Sequence, residues 1–148
     1  MAQIPDALER LRIERECEQL SLKFAAYVDS HEHERLLTIL TPQALFVRPT
    51  EPDQPIRGAE AIVASYRRQL TGYVATHLCT NILIEVESAE RARGTTRILF
   101  FAAEEKAPAG PTGRAPAMQR VGEFQDVFVR TDYGWRIAER RSRLIFTS

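Results

Sequence analysis

The chain has 148 residues, of which 44% are hydrophobic and 27% charged, with twenty basic and twenty acidic side chains. That length suits a single domain over residues 1–148 with one buried core, and the zero formal charge offers no global field for nucleic acid or an anionic membrane. No apolar run approaches the ~20 residues that cross a bilayer, and the amino terminus lacks the basic-then-apolar layout of a secretion signal, so a cytoplasmic protein is expected.

Asp6 and Glu9 stand at capping-box spacing just after Pro5 and predict the start of a long helix. Leu8, Leu11, Leu20, Phe24, Tyr27 and Val28 recur along it at helical intervals, and the pattern fades at Asp29–Ser30. Ser30 is placed to cap a second, shorter helix carrying Leu36, Leu37 and Leu40, which Pro42 should stop. "ALFVR" (Ala44–Arg48) reads as a short strand. "PTEPDQPIRG" follows as a loop, and "AEAIVASYRRQL" as a third helix with Ile62, Tyr66 and Leu70 on one side.

From Tyr73 the period changes to two. Val74, Thr76, Leu78, Thr80, Ile82, Ile84 and Val86 fall on one face of a strand, and Tyr73, Ala75, His77, Cys79, Asn81 and Leu83 on the other. "ESAERARG" should turn the chain into "TTRILFFAAEE". "KAPAGPTGRAPAMQ" reads as a long exposed connection, and "VGEFQDVFVRT" and "WRIAERRSRLIF" as a final hairpin with Gly134 in its turn. Helices followed by long strands indicate an α+β fold, three helices packed on one face of an antiparallel sheet. The stretch Tyr73–Leu83 is mostly uncharged on both faces. A strongly curved sheet, with a pocket on its concave side and an interface on part of its convex side, accounts for this and suggests an oligomer.

The most chemically dense stretch is "AAYVDSHEHE" (Ala25–Glu34). On a helix His31 and His33 would lie about 200° apart and could not share an ion, while Glu32 and Glu34 would fall in a first turn where the helix dipole favours acids. This cluster is therefore expected to be a solvated helix start with no metal. Cys17 and Cys79 are expected to be reduced, small hydrophobes; Cys79 shares a strand face with His77, which leaves a nucleophilic role open. Trp135 is expected against a sheet edge or interface, Asn81 as a partner for buried backbone groups, and Phe101, Phe124 and Phe128 as core or cavity wall. Asp126 should pair with an arginine such as Arg97 or Arg140, or face the pocket.

"FAAYVDSHEHERLLTILTPQALFVRP", "IRGAEAIVASY", "THLCTNILIEVESAERARGT" and "VGEFQDVFVRTDYGWRIAERR", in this order over about Leu11 to Phe146, resemble the SnoaL-like branch of the nuclear-transport-factor-2-like (NTF2-like) superfamily. The resemblance implies a cone-shaped α+β barrel, a bent sheet around an apolar cavity, commonly dimeric or trimeric. The superfamily includes dehydratases, isomerases, cyclases, epoxide hydrolases, small subunits of ring-hydroxylating dioxygenases and plain binding modules. In the isomerases a carboxylate base follows the first strand, but here "LFVRP" puts Arg48 there, which cannot accept a proton near neutral pH. The epoxide hydrolases need acids beside an arginine, and "TTRILFF" offers none.

The scytalone-dehydratase-like pattern fits further: an aspartate ending the first helix, Asp29, and a histidine in the first long strand, His77. Tyr27 and Tyr66 are its candidate carbonyl-polarising tyrosines, and the second histidine of that pattern is missing from "RILFFAAE". An Asp–His pair in an apolar pocket would perform acid–base chemistry. The expectation is a cofactor-free dehydratase or isomerase of a small apolar or aromatic metabolite. In it Asp29, His77 and Tyr27 are catalytic, and Tyr66, Phe101, Phe124 and Arg48 contact the substrate. Two other readings stand beside it: a binding module for a hydrophobic metabolite, and a structural accessory subunit of an oxygenase. The oligomer is expected to be a homodimer or homotrimer, with no nucleic-acid or membrane partner.

Overall fold

A computed structural model describes residues 4–69 and 71–148. The elements run α1 (Ala7–Asp29), a 3₁₀ helix (His33–Thr38), β1 (Leu40–Val47), β2 (Ile56–Arg57), α2 (Ala59–Arg68), β3 (Tyr73–Val86), β4 (Arg91–Glu104), β5 (Met118–Thr131) and β6 (Gly134–Thr147). The six strands form one sheet in the order β2-β1-β6-β5-β4-β3. All neighbouring pairs are antiparallel except β1 with β6, which is parallel. The expected antiparallel sheet therefore has one parallel pair, since the chain reaches the last strand only after α2 and three further strands.

Asp6 caps α1 as its spacing predicts, its Oδ1 accepting from the Glu9 amide at 2.8 Å. The buried stripe of α1 is Ile13, Cys17, Leu20, Phe24 and Val28, at intervals of three and four residues. Leu8 and Leu11 stand outside it and are exposed, because the first turns of α1 extend past the core.

The second helix departs from expectation. It is a 3₁₀ helix, and Ser30 does not start it: the Ser30 hydroxyl donates back to the Ala26 carbonyl at 2.8 Å and so closes α1. Leu40 belongs to β1, and Pro42 sits inside that strand, within the irregular register between Leu40 and Leu45. A bulge is where a strand tolerates a residue lacking a donor. Leu70, expected on the α2 face with Ile62 and Tyr66, lies outside the described residues.

β3 does not keep one phase. Asn81 adopts a left-handed conformation (φ 49°), and the β3–β4 register shifts between Thr80 and Leu83. This bulge moves the inward set from Ala75, His77 and Cys79 to Ile82, Ile84 and Val86. Asn81 is thus an exposed bulge residue, not a bridge to buried backbone. β4 begins at Arg91, so the turn is shorter than "ESAERARG"; Gly94 lies within the strand, where an added Cβ would meet Ile84 Cδ1 and Phe128 Cε2 at 2.8 Å.

The main core joins α1, α2 and the inner sheet face and includes Phe24, Leu36, Phe46, Ile62, Val63, Phe128, Ile137 and Trp135. Trp135 is 4% exposed and packs inward, away from any sheet edge. Among these groups lies a charged pair. Arg140 donates from Nε and Nη2 to the two Asp126 oxygens, each at 2.8 Å, and from Nη2 to the Ser21 hydroxyl at 3.0 Å. Its guanidinium is flanked by the rings of Phe124 and Phe24, at 4.1 and 4.4 Å. Arg97, the other candidate partner of Asp126, pairs with Glu123 instead.

Removing one member of a fully buried pair leaves an uncompensated charge in the core. Asp126→Ala is expected to lose about 3–5 kcal/mol of unfolding free energy. Asp126→Leu combined with Arg140→Met, which removes both charges, should lose clearly less. Urea denaturation of the two proteins checks this, and equal losses would reject the buried-pair account.

Candidate active site

Asp29 is the last residue of α1, and β3 is an edge strand of the sheet. An edge strand leaves alternate backbone amides without a ladder partner. The His77 amide donates to Asp29 Oδ2 at 2.7 Å, and the ring Nδ1 lies 2.6 Å from Asp29 Oδ1. One carboxylate therefore holds both the backbone and the ring of His77. An ionised carboxylate only accepts, so Nδ1 donates to Asp29, and in the neutral form of the ring Nε2 is then the acceptor. Both side chains are mostly shielded from water, at 17% and 18% exposure. The His77 ring packs on Phe100, with centroids 4.7 Å apart.

His77 opens on a cavity of about 120 Å³. Its apolar wall includes Phe46, Tyr66, Ile98, Phe100, Phe124 and Leu144. Polar groups on the same wall include Arg48, Arg120 and Ser142. The Glu123 carboxylate is held between Arg143 at 3.1 Å and Arg97 at 3.2 Å. A hydrogen bond from the Gln125 amide, together with these two arginines, keeps Glu123 below the usual carboxylate range. Burial pushes the Tyr66 hydroxyl up to about 12, against the opposing influence of Arg48.

The expected site residues distribute unevenly. Asp29 and His77 meet, and Tyr66, Phe124 and Arg48 line the cavity with His77. Tyr27 does not reach it: its hydroxyl accepts from Arg35 Nη2 at 3.4 Å, and the Arg35 guanidinium covers its ring at 4.3 Å. Two residues apart on a helix, Tyr27 and Asp29 point some 200° apart and cannot share a face. Phe101 is also displaced. It pairs with Thr76 on the outer sheet face, whereas Phe100, one residue earlier, faces inward beside His77. Strand alternation decides this, and the run "LFF" hides the phase. Phe128 is core, with no exposed surface. Arg48 is 6% exposed and donates from Nη2 to the Ser65 hydroxyl at 2.7 Å.

His31 and His33 lie in a turn and at the start of the 3₁₀ helix, not on a regular helix, so their rings approach to 5.7 Å. Burial and the neighbouring His31 lower the proton affinity of His33. Among the described residues no three His, Cys, Asp or Glu side chains cluster as metal ligands.

A family model described as a SnoaL-like domain matches residues 9–141. The chain belongs to the SnoaL-like domain family. The structure is similar to that of a candidate scytalone dehydratase from Novosphingobium aromaticivorans, with a TM-score of 0.81, 18% identity, and coverage of 97% of this chain and 91% of that one. It is also similar to the hexachlorocyclohexane dehydrochlorinase LinA-type3 from Novosphingobium barchaimii, with a TM-score of 0.77, 18% identity, and coverage of 97% and 93%. An NTF2-like protein from Novosphingobium aromaticivorans aligns with a TM-score of 0.74, 21% identity, and coverage of 92% and 84%. At these identities the likeness establishes the NTF2-like fold of this SnoaL-like chain. No protein of curated function matches its sequence. No helix among the described residues is long and apolar enough to cross a membrane.

The cysteines of this SnoaL-like domain are unpaired, Cys17 fully buried and Cys79 half-buried. Burial raises the Cys17 thiol to about 12 and also raises Cys79. Neither holds a thiolate at neutral pH, which removes the nucleophilic reading of Cys79. In native protein at pH 7, iodoacetamide should modify both far more slowly than after unfolding in urea. Rapid native labelling of Cys79, read by mass spectrometry, would reverse this conclusion.

Proposed function

We propose that this SnoaL-like protein is an enzyme of cofactor-independent acid–base chemistry, a dehydratase or isomerase of a hydroxylated cyclic or carbonyl substrate. The observation that carries the reading is the 2.6 Å contact between Asp29 and His77 Nδ1 in a histidine that lines an aromatic-walled cavity. Asp29 fixes the tautomer and stabilises the imidazolium that forms when Nε2 takes a proton from carbon. In an elimination, the electrons of that C–H bond become the new double bond. The departing hydroxyl takes the proton back from His77 and leaves as water. In an isomerisation, the same proton returns to a different carbon. Two structurally similar proteins are named as eliminating enzymes, a candidate dehydratase and a dehydrochlorinase. The absence of a second histidine on β4, where Phe100 faces the cavity, favours a mechanism with one proton carrier.

His77→Ala should lower turnover of a substrate identified by screening hydroxylated cyclic compounds by ~10²–10⁴-fold, the usual range for a general acid–base residue. Asp29→Asn should also lower it steeply. An amide has one accepting oxygen and cannot receive both the His77 amide and Nδ1–H. Tyr27→Phe, which removes only the bond from Arg35, should leave kcat within about threefold, a surface-type change. A His77→Ala protein with full turnover would end the reading. A protein that binds such compounds without turning any over would be a binding module.

The outer sheet face exposes Val74, Leu78, Leu83 and Phe146, which supports a homodimer or homotrimer that covers it. Light scattering should give twice or three times the chain mass, and Leu78→Glu should lower it. A monomer at micromolar concentration would reject this assembly.

A further inference from the structure

Arg48 is a buried cation that pairs with no acid among the described residues. Its Nη2 donates to Ser65, whose own hydrogen goes to the Ile62 carbonyl at 2.7 Å, and its Nε has no partner among the described residues. The guanidinium lies 4.4 Å over the Tyr66 ring and 5.3 Å from Phe46, so ring faces surround it where a carboxylate would ordinarily sit. The carboxylates of the cavity region are engaged elsewhere: Glu123 by Arg143 and Arg97, Asp29 by the backbone amide and Nδ1 of His77, Asp126 by Arg140. Arg120, over the Phe100 ring at 5.9 Å, adds further positive charge to the same wall. Of the four buried side-chain atoms without a partner among the described residues, two, Arg48 Nε and the Ser142 hydroxyl, belong to residues of this cavity, and the others are Thr96 Oγ1 and Arg140 Nη1. Buried polar atoms are ordinarily hydrogen-bonded, and two that are not, lining one cavity, mark where a ligand would supply the bonds.

We infer that the substrate is a small aromatic or cyclic carboxylate, its carboxylate held by Arg48 and Ser142 while its ring lies among Phe46, Tyr66 and Phe124 near His77. Guanidinium Nε and Nη hydrogens form a planar fork that matches a carboxylate, and the ring faces behind it keep the fork in place. The proposal rests on the cavity being the substrate site, as above. It adds the charge of the substrate, which the Asp29–His77 pair alone does not specify.

Benzoate and benzamide have the same shape and differ in charge, and they serve as probes. Calorimetry on the full chain at pH 7.5 should find benzoate bound at least ~10-fold more tightly than benzamide, the range expected of a hydrogen bond to a charged group. Arg48→Met should abolish that preference, while Arg48→Lys should retain part of it. Equal binding of the two probes to the wild-type protein, or binding of neither, would overturn the proposal even if Arg48→Met failed to fold. Persistence of the benzoate preference in a folded Arg48→Met protein would do the same. His77→Ala separates the two readings. Benzoate should still bind to it, so Arg48-dependent binding without turnover in any protein would defeat the enzyme and leave the carboxylate site standing. Turnover of a neutral substrate dependent on His77, with no benzoate preference, would do the reverse.

Discussion

The double acceptance by Asp29 is the constraint on which the site depends. A carboxylate at the end of a 23-residue helix would ordinarily face solvent and cap nothing, since the helix carboxyl end favours cations. Here the helix end is placed against the edge strand, and the carboxylate finds two N–H groups of one residue, the amide and ring of His77. The backbone contact fixes where β3 lies relative to α1, and the ring contact fixes the imidazole within that frame. Position and orientation thus come from one side chain. A single charged acceptor satisfies an edge amide and a buried ring nitrogen, either of which would be unfavourable alone.

Arg140 extends the same frame through the core. The strand β6 carries it to the centre of the sheet, where Asp126 from β5 and Ser21 from α1 meet its donors and Phe24 and Phe124 close over its faces. Phe124 then faces the cavity on its other side. The cavity wall is therefore backed by a charged pair, not by aliphatic packing alone. A directional network of this kind admits fewer arrangements of α1 on the sheet than an apolar contact would. The position of Asp29, further along the same helix, inherits that restriction.

Much of this was legible in the chain. The Asp6 cap, the helical stripe from Leu20 to Val28 and the long alternating strands all follow from periodicity and capping, which are local. What the pattern missed was non-local or hidden in runs. Pro42 read as a helix stop because its tolerance inside β1 depends on a bulge against β6, a strand that lies far along the chain. The phase change at Asn81 left an alternation that looked continuous, since threonines and aliphatic residues occupy both sets. "LFF" could not say which phenylalanine turns inward, so Phe101 stood in for Phe100. The approach of Asp29 to His77, 48 residues apart, follows from no spacing and was suggested by family resemblance. Tyr27 could have been excluded by helix geometry, because no straight helix brings i and i+2 to one face. Arg48 was expected beside the substrate, but nothing in the sequence announces that Ser65, Tyr66 and Phe46 enclose it.

The distribution of charge around the cavity also separates two tasks that a single carboxylate could have combined. The end of β1, where a proton-accepting carboxylate would stand in the isomerase pattern, carries a guanidinium that can only donate. Glu123 is held ionised by Gln125, Arg143 and Arg97 and is a poor proton donor. Tyr66, raised to about 12, keeps its proton and is not a base. Glu123 is thus held ionised by its neighbours and Tyr66 held protonated by burial. In the proposed reaction this leaves one group, His77, to take a proton and return it, and the cations to orient what it acts on. A cavity with one mobile proton favours chemistry in which the proton lost and the proton returned pass through the same nitrogen. Elimination across adjacent atoms and short-range isomerisation both meet that condition. Reactions that need a separate acid on the opposite side of the substrate do not.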